Sequence, residues 1–377
     1  MLDLPFLSDD ISLEGKKVLL RLDLNMQTEG DRVRDDFRFR KSKPTIDFLI
    51  NKKAKILLVT HLEDEDKKPI PILPVYNLLK DYYNVIKAST LKSSGEALSK
   101  VSPGSVVLLE NVRLWPGEKQ NKDDFAHDLA SLVDLYVGDA FSVCHREHAS
   151  VVKVPKLLPH YAGFLLKDEI SHLSEAFNPK HPFVFILGGA KFETKLPLVE
   201  KFISRADTVF VGGALSNDIL KASGLEVGNS KVSGSDFGID KIMKAKNIVT
   251  IKDALVESDG RVTVKKIDSI EKQDYIRDAG PETLANLKNI ISGAKFILWN
   301  GPLGFYERGF YGGTEKLAAS IARSDAVSIV GGGDTVAALQ TLELEDNFSF
   351  VSTGGGAMLD FLANGTLSGI EALRNRF

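Results

Sequence analysis

Two groups of side chains in this sequence carry chemistry. The first is rich in guanidinium and imidazole: Arg21, Arg38, Arg113 and Arg146, with His61, His145 and His148. Guanidinium groups bind phosphate and carboxylate through paired N–H donors, so convergence of these residues suits a small, strongly anionic ligand. Asp23, Asn25, Glu110, Asn111 and Asp139 lie in the same half of the chain. The second group is glycine: Gly188-Gly189, Gly212-Gly213, Gly301 and Gly304, Gly331-Gly332-Gly333 and Gly354-Gly355-Gly356. Glycine lets backbone approach a phosphate closely, and a helix N-terminus behind it offers free N–H groups and a positive dipole end. Lys191 and Lys195 follow the first glycine pair at i and i+4, two ammonium groups suited to a polyphosphate. Asp334, after the triple glycine, is the expected Mg²⁺ ligand, directly or through water.

Elements must place these groups. Apolar runs of strand length occur at 17–23, 55–61, 106–110, 132–137, 183–188, 207–211, 295–299, 326–330 and 348–352. Most are apolar on both faces, as buried parallel strands are. Helical patterns occupy 41–52, 74–83, 122–132, 195–204, 214–223, 281–292, 314–323, 335–342 and 357–363. The alternation predicts βαβ units and an open, doubly wound α/β fold, whose ligands sit outside the carboxyl ends of the strands. The polar groups of the first half and the glycines of the second fall at those ends, so the halves are expected to bind different ligands. Arg38 is the exception, placed on a loop ahead of the helix at 41–52. Residues 165–178 read as one amphipathic helix linking the halves, broken by Asn-Pro at 178–179 and His-Pro at 181–182.

Composition narrows the function classes. Of 377 residues, 43% are hydrophobic and 26% charged, which excludes a disordered or fibrous chain. Lys+Arg total 48 and Asp+Glu 51, a net charge of −3, which is not the balance of a bulk nucleic-acid binder. The one cysteine, Cys144, reads as a plain buried thiol. Arg146 between His145 and His148 disfavours a metal site there. No apolar run reaches the ~18 residues of a membrane span, and the first residues lack the pattern of a signal peptide, so a cytoplasmic protein is expected. No coiled-coil pattern or long apolar stripe demands assembly, so a monomer is expected. Neither a Gly-x-x-x-x-Gly-Lys-Ser/Thr motif nor a Gly-x-Gly-x-x-Gly after a strand occurs, which argues against a P-loop NTPase and a standard NAD enzyme.

With these residues in view, the chain resembles the phosphoglycerate kinase family over essentially its whole length. The likeness is carried by Val-Leu-Leu-Arg-Leu-Asp-Leu-Asn (18–25), Asp-Asp-Phe-Arg-Phe-Arg (35–40), Pro-Thr-Ile (44–46) and Leu-Leu-Glu-Asn-Val-Arg (108–113). It continues through 138–150, Gly-Gly-Ala-Lys (188–191), Trp-Asn-Gly-Pro-Leu-Gly (299–304), Gly-Gly-Gly-Asp-Thr (331–335) and Val-Ser-Thr-Gly-Gly-Gly-Ala (351–357).

The resemblance implies two Rossmann-like, doubly wound parallel-sheet lobes separated by a deep cleft that closes by hinge bending. An N-terminal lobe, 1–164, would bind 3-phosphoglycerate or 1,3-bisphosphoglycerate. A linking helix would span 165–180. A C-terminal lobe, 181–363, would bind Mg-ADP or Mg-ATP, and a tail, 364–377, would return to the first lobe. Carried over by position, Asp23, Asn25, Arg38, His61, Arg113 and Arg146 match substrate contacts, and Arg21 and His148 the surrounding basic patch. Lys195 matches a nucleotide-phosphate contact and Lys191 the lysine that follows the transferring phosphoryl group. Glu307 matches the ribose carboxylate, and Asn300, with Pro302 beside it, lies near the nucleotide. Gly189, Gly213 and Gly331–Gly333 fall on the phosphate-binding turns, and Asp334 and Thr335 on the metal and phosphate end. Arg38, Lys191, Lys195 and Gly355 are the implied catalytic set.

The sequence departs from the family in three places. The family follows its histidine with Leu-Gly-Arg-Pro, whereas His61 is followed by Leu62-Glu63-Asp64-Glu65-Asp66-Lys67-Lys68-Pro69. Those acids oppose an anionic substrate if they point inward. They are expected on an outward, solvated loop, with Lys67 or Lys68 partly replacing the missing guanidinium. Met26-Gln27 replaces the usual Val-Pro, and the stretch between 224 and 280 is shortened. The acidic loop supports one alternative, a catalytically weakened nucleotide-binding homologue.

Overall fold

The computed structural model describes residues 3–190, 192–233 and 239–374. Lys191 therefore lies outside the described residues. The chain divides into two units, one of residues 3–171 with 364–374, the other of 172–363. The division falls inside a helix.

Among the described residues, unit 1 contains β1 (Lys17–Leu22), β2 (Thr28–Glu29), β3 (Arg32–Val33), β4 (Lys55–Val59), β5 (Val85–Ala88), β6 (Val106–Leu109), β7 (Leu135–Asp139) and β8 (His160–Ala162). Its helices are α1 (Phe37–Asn51), α2 (Leu73–Lys80), α3 (Leu91–Lys100), α4 (Pro116–Lys119), α5 (Asp123–Ala130) and α6 (Phe164–Glu175), the last running on into unit 2. The sheet order is β5-β6-β4-β1-β7-β8, and every pairing is parallel. Val18, Leu19, Leu20, Ile56, Leu57, Leu58, Val106, Val107 and Leu108 are all fully buried, as two-sided coverage by helices requires. From β1 the chain moves to β4 on one side, and from β7 to β8 on the other. The switch point of the sheet is therefore between β1 and β7, where such folds open a crevice.

Unit 2 contains α7 (Phe192–Ile203), α8 (Ala214–Ala222), α9 (Ile239–Met243), α10 (Pro281–Ser292), α11 (Gly312–Ala322), α12 (Gly333–Thr341) and α13 (Gly356–Asn364). Its strands are β9 (Phe183–Leu187), β10 (Thr208–Val211), β11 (Ile248–Val249), β12 (Asp253–Ser258), β13 (Arg261–Lys266), β14 (Tyr275–Ala279), β15 (Phe296–Asn300), β16 (Val327–Gly331) and β17 (Phe350–Val351). A parallel sheet runs β11-β10-β9-β15-β16-β17, with its switch point between β9 and β15. Phe183 packs edge-on against Phe202 and Phe296, with centroids 5.9 and 5.2 Å away, fixing α7 on the sheet. A small antiparallel sheet, β13-β12-β14, occupies the shortened stretch. Finally, α14 (Ser368–Ala372) belongs to unit 1, where Gly369 N donates to Cys144 O at 2.8 Å.

One placement differs from expectation. Arg38 lies not on a loop but in the first turn of α1, which starts at Phe37. Pro44 inside the helix masks its continuity in the sequence, and the start is set by Asp35, whose carboxylate accepts from Phe37 N at 2.9 Å.

Candidate functional site

The polar residues of unit 1 gather at the β1/β7 switch point. Asp23, just past β1, is almost fully buried and holds four partners. Its Oδ2 accepts from Arg38 Nη1 and from the Ser142 hydroxyl. Its Oδ1 accepts from Asn25 N at 3.0 Å and lies 3.6 Å from His61 Nδ1. Burial opposes the charge, but Arg38 and the Ser142 and Asn25 donors outweigh it and hold the carboxyl well below its ordinary range. His61 is buried at the end of β4. Desolvation, with repulsion from Arg21, Arg113 and Arg38, outweighs attraction to Asp23 and depresses its pKa well below the usual value, so the ring is neutral. Arg38 keeps 29% of its side chain exposed and Arg146 is exposed, so both present donors to solvent. Arg113 is buried after β6, yet its Nε and Nη2 have no hydrogen-bond partner.

Arg21 behaves differently from Arg38 and Arg146. It is wholly buried, its Nε donates to Ser150 Oγ at 2.8 Å, its Nη1 donates to Leu22 O, and its Nη2 lies 3.9 Å from Glu118 Oε1. Its donors face inward, while its charge is felt by the His61 and His148 rings. His148 stands 3.9 Å from the same Glu118 oxygen. Burial, then repulsion from Arg113, Arg21 and Arg146, pushes its pKa down to about 4. Ser150 lies in a one-turn π-helix, Ala149–Lys153, and both its N–H and hydroxyl donate to Glu118, at 2.8 and 2.6 Å. Cys144 is the buried thiol expected, pushed up to about 12 by desolvation.

The acidic loop divides. Asp64, Glu65, Asp66, Lys67 and Lys68 are exposed, and Lys68 pairs with Asp66 at 3.3 Å. Neither lysine takes the place of a guanidinium. Glu63 departs from expectation by pointing inward, where it pairs with Arg113 and Lys119. The reason lies in contacts from distant segments: its N–H donates to Asn25 Oδ1 at 2.8 Å, and Asn111 Nδ2 holds Leu62 O and Ile70 O at 2.6 and 2.7 Å, fixing the loop's neck.

In unit 2 the turns after β9, β10 and β15 knit together at the switch point. Gly188 N donates to Asn300 O at 2.9 Å and Gly189 N to Pro302 O at 2.8 Å. A Cβ on Gly188 would stand 2.2 Å from Pro302 O, and one on Gly213, at φ +60°, 2.6 Å from Gly189 N, so both positions demand glycine. Beside them lies a cavity of about 260 Å³ that includes Gly189, Gly213, Pro302, Glu307 and Asp334 in its lining. Ile251, Ile276, Arg277, Asp278 and Ala279 also line it, so the small sheet of the shortened stretch contributes a wall. Lys195, nearly buried in α7, donates its ammonium to Gly188 O. Asn300 is buried, and Glu307 is exposed on a one-turn helix, Tyr306–Arg308. Asp334 opens α12. Burial and then Glu307 raise its carboxyl above the ordinary value, and Lys195 works against that rise. Thr335 is fully buried, and its Oγ1 has no hydrogen-bond partner. Gly355, at φ +47°, precedes α13 with open space where a Cβ would stand.

Sequence reasoning missed Ser142, Glu118, Lys119 and Asp278. Asp278 is buried on the cavity wall, accepts from Gly313 N at 2.8 Å, and is pushed up to about 6 by desolvation. No periodic signal marks these residues, since Ser142, Glu118 and Lys119 sit in single-turn helices and Asp278 in a short, five-residue strand.

The phosphoglycerate kinase family model matches residues 8–365. A phosphoglycerate kinase of Dictyoglomus turgidum is 39% identical over 391 residues, covering 97% of this chain and 98% of that one. Another, of Rubrobacter xylanophilus, is 40% identical over 383 residues and 97% of each chain. Among solved structures, phosphoglycerate kinase from Coxiella burnetii aligns with a TM-score of 0.82 at 36% identity, over 98% of this chain and 99% of that one. The Pyrococcus horikoshii enzyme aligns at 0.85 and 30%, over 98% of each.

Proposed function

The chain belongs to the phosphoglycerate kinase family of phosphotransferases with a carboxyl group as acceptor, and we propose how its own residues divide that work. Unit 1 binds 3-phosphoglycerate or 1,3-bisphosphoglycerate through Asn25, Arg38, His61, Arg113 and Arg146, with Asp23 as the hub and with Arg21 and His148 behind them. Unit 2 binds ADP or ATP over the Gly189, Gly213 and Gly331–Gly333 turns, with Lys195 on phosphate, Glu307 on ribose, and Asn300, Pro302 and Thr335 beside them. The alternative of a weakened nucleotide-binding homologue is not favoured, because relatives named as the enzyme align over nearly the entire chain.

The observation that carries this reading is the character of the two switch points: cationic side chains with unfilled donors in unit 1, and backbone turns with a nearly buried lysine in unit 2. The phosphoryl group passes between an acyl phosphate oxygen and the terminal oxygen of ADP. The P–O bond to the carboxylate breaks as the new P–O bond forms, and the carboxylate leaves as an anion. No general base is needed, because both acceptor oxygens are already charged. The loose transition state spreads charge over the equatorial oxygens, so alignment and fixed cations dominate. Arg38 and Lys195 supply those cations, and Lys191 is assigned the same task from its sequence position. From its sequence position the Gly355 turn is assigned the same task, with the free N–H groups at the start of α13 as its donors.

The residues present fit Mg²⁺. Asp334 is a single carboxylate at a helix start, next to the orphaned Thr335 hydroxyl, which suits an ion that keeps waters and binds substrate phosphates. Bound there, the ion would neutralise phosphate charge. Cytoplasmic location and a monomeric state belong to the same reading, the latter checked by light scattering. The decisive experiment is a coupled assay of 3-phosphoglycerate with Mg-ATP, run with and without Mg²⁺. Mg²⁺-dependent turnover is expected; its absence with pure, folded protein would refute the assignment.

A further inference from the structure

Glu63 occupies donors of two cations, Arg113 and Lys119. Its Oε2 lies 2.5 Å from Arg113 Nη1, and its Oε1 lies 3.0 Å from Lys119 Nζ. The Glu63 side chain is only 10% exposed and that of Arg113 1%. Its backbone is pinned by Asn25 and by an antiparallel bridge to Pro69, so the carboxylate leaves Arg113 only by rotating its own side chain. Arg113 N donates to Asn111 Oδ1 at 3.0 Å, which fixes the other partner. Burial opposes the Glu63 charge, but the Lys119 and Arg113 donors hold the carboxyl below its ordinary value, so it is an anion at neutral pH. Meanwhile Arg113 Nε and Nη2 stay buried and unfilled.

We infer that Glu63 is a resident counter-anion: it neutralises Arg113 and Lys119 in the free enzyme and competes with the anionic groups of the substrate for them. The inference rests on the reading of Arg113 as a substrate contact. A buried guanidinium without a partner anion is costly, so an internal carboxylate stabilises the empty site. The same carboxylate repels an incoming anion, so its presence lowers affinity. It also sharpens selection by charge. A dianionic phosphate competes with a single carboxylate for two cations, whereas a monoanion gains little by the exchange. Glu63 is thus a specificity-determining residue.

The test is calorimetry on the full chain, with inorganic sulfate and 3-phosphoglycerate as probes. Glu63→Gln and Glu63→Gly should bind sulfate roughly threefold to tenfold more tightly than the native chain. Combining Glu63→Gln with Arg113→Ala should erase the gain. In the coupled assay, the KM for 3-phosphoglycerate should fall in step, while the KM for Mg-ATP does not shift. Equal or weaker sulfate binding by both variants, folded by circular dichroism at the temperature of the titration, overturns the inference whatever the shift in their melts. A sulfate gain in a chain that does not turn over 3-phosphoglycerate supports the counter-anion and refutes the kinase reading instead.

Discussion

Ser142, beyond β7, donates its hydroxyl to the buried carboxylate of Asp23, beyond β1. The bond spans the switch point of the first sheet and fixes the oxygen that also holds Arg38. Ser142→Ala should cost about 1.5–3 kcal/mol, as expected for a hydrogen bond to a charged group, read from urea unfolding. The KM for 3-phosphoglycerate should rise with it, because Arg38 loses the anchored carboxylate that orients it. A variant as stable as the native chain with an unchanged KM would show that the bond positions nothing.

Lys195 gives the nucleotide-side prediction. Its ammonium is held by Gly188 O and limits the rise of the Asp334 carboxyl that burial and Glu307 cause. Lys195→Met keeps the chain length and removes the charge. Its kcat should fall roughly 10²–10³-fold, the size seen when one charge-stabilising donor is lost. Mg-ADP binding should weaken as well. Retention of native kcat would remove Lys195 from the proposed machinery.

Much of this was legible in the residues. The principal parallel strands follow from two-sided apolar runs, because a strand covered on both faces has no polar positions to blur the pattern. The short pieces were not legible. β8 has three residues and β11 two, too few for any period to register. β13 has exposed Val262 and Val264, so its pattern does not mark a core. α3 carries a signal that periodicity passes over: Thr90 accepts from Ser93 N at 3.0 Å while Ser93 answers at the Thr90 N–H. At the site, residue types at strand ends pointed to the cations. Their partners were hidden, because Glu63 and Glu118 reach the cations, and Ser142 reaches the Asp23 carboxylate that holds Arg38, from distant segments of the chain. The inward turn of Glu63 depends on Asn25 and Asn111 holding its loop, which no local rule encodes.

Glu118 is the buried partner of Arg21 and Ser150, and its side chain is fully enclosed. Glu118→Ala would leave the Arg21 guanidinium in the interior without a counter-charge. The expected loss is about 3–5 kcal/mol, the usual cost of breaking a buried pair by removing one member. Glu118→Gln should lose less, since an amide still accepts from Ser150. Chemical denaturation of both variants measures the difference. A loss below about 1 kcal/mol in Glu118→Ala would mean that Arg21 is stabilised from elsewhere.

His148 sets a pH dependence whose sign is fixed. Burial and the surrounding cations push its folded-state pKa down to about 4. In the unfolded chain an imidazole titrates near ~6.5. The folded form therefore binds fewer protons than the unfolded form between those values, so stability rises with pH across the window. Above ~6.5 both forms are neutral and the contribution is complete; as pH falls toward ~4 it is progressively lost. His61, depressed in the same direction, adds to the slope. His148→Gln removes one titrating ring and should flatten the acid limb of the urea midpoint, measured in steps from pH 7 to pH 4. The variant and the native chain should converge in relative stability at the neutral end. Parallel curves across the whole range would mean that His148 titrates alike in the folded and unfolded chains, contrary to its cationic surroundings.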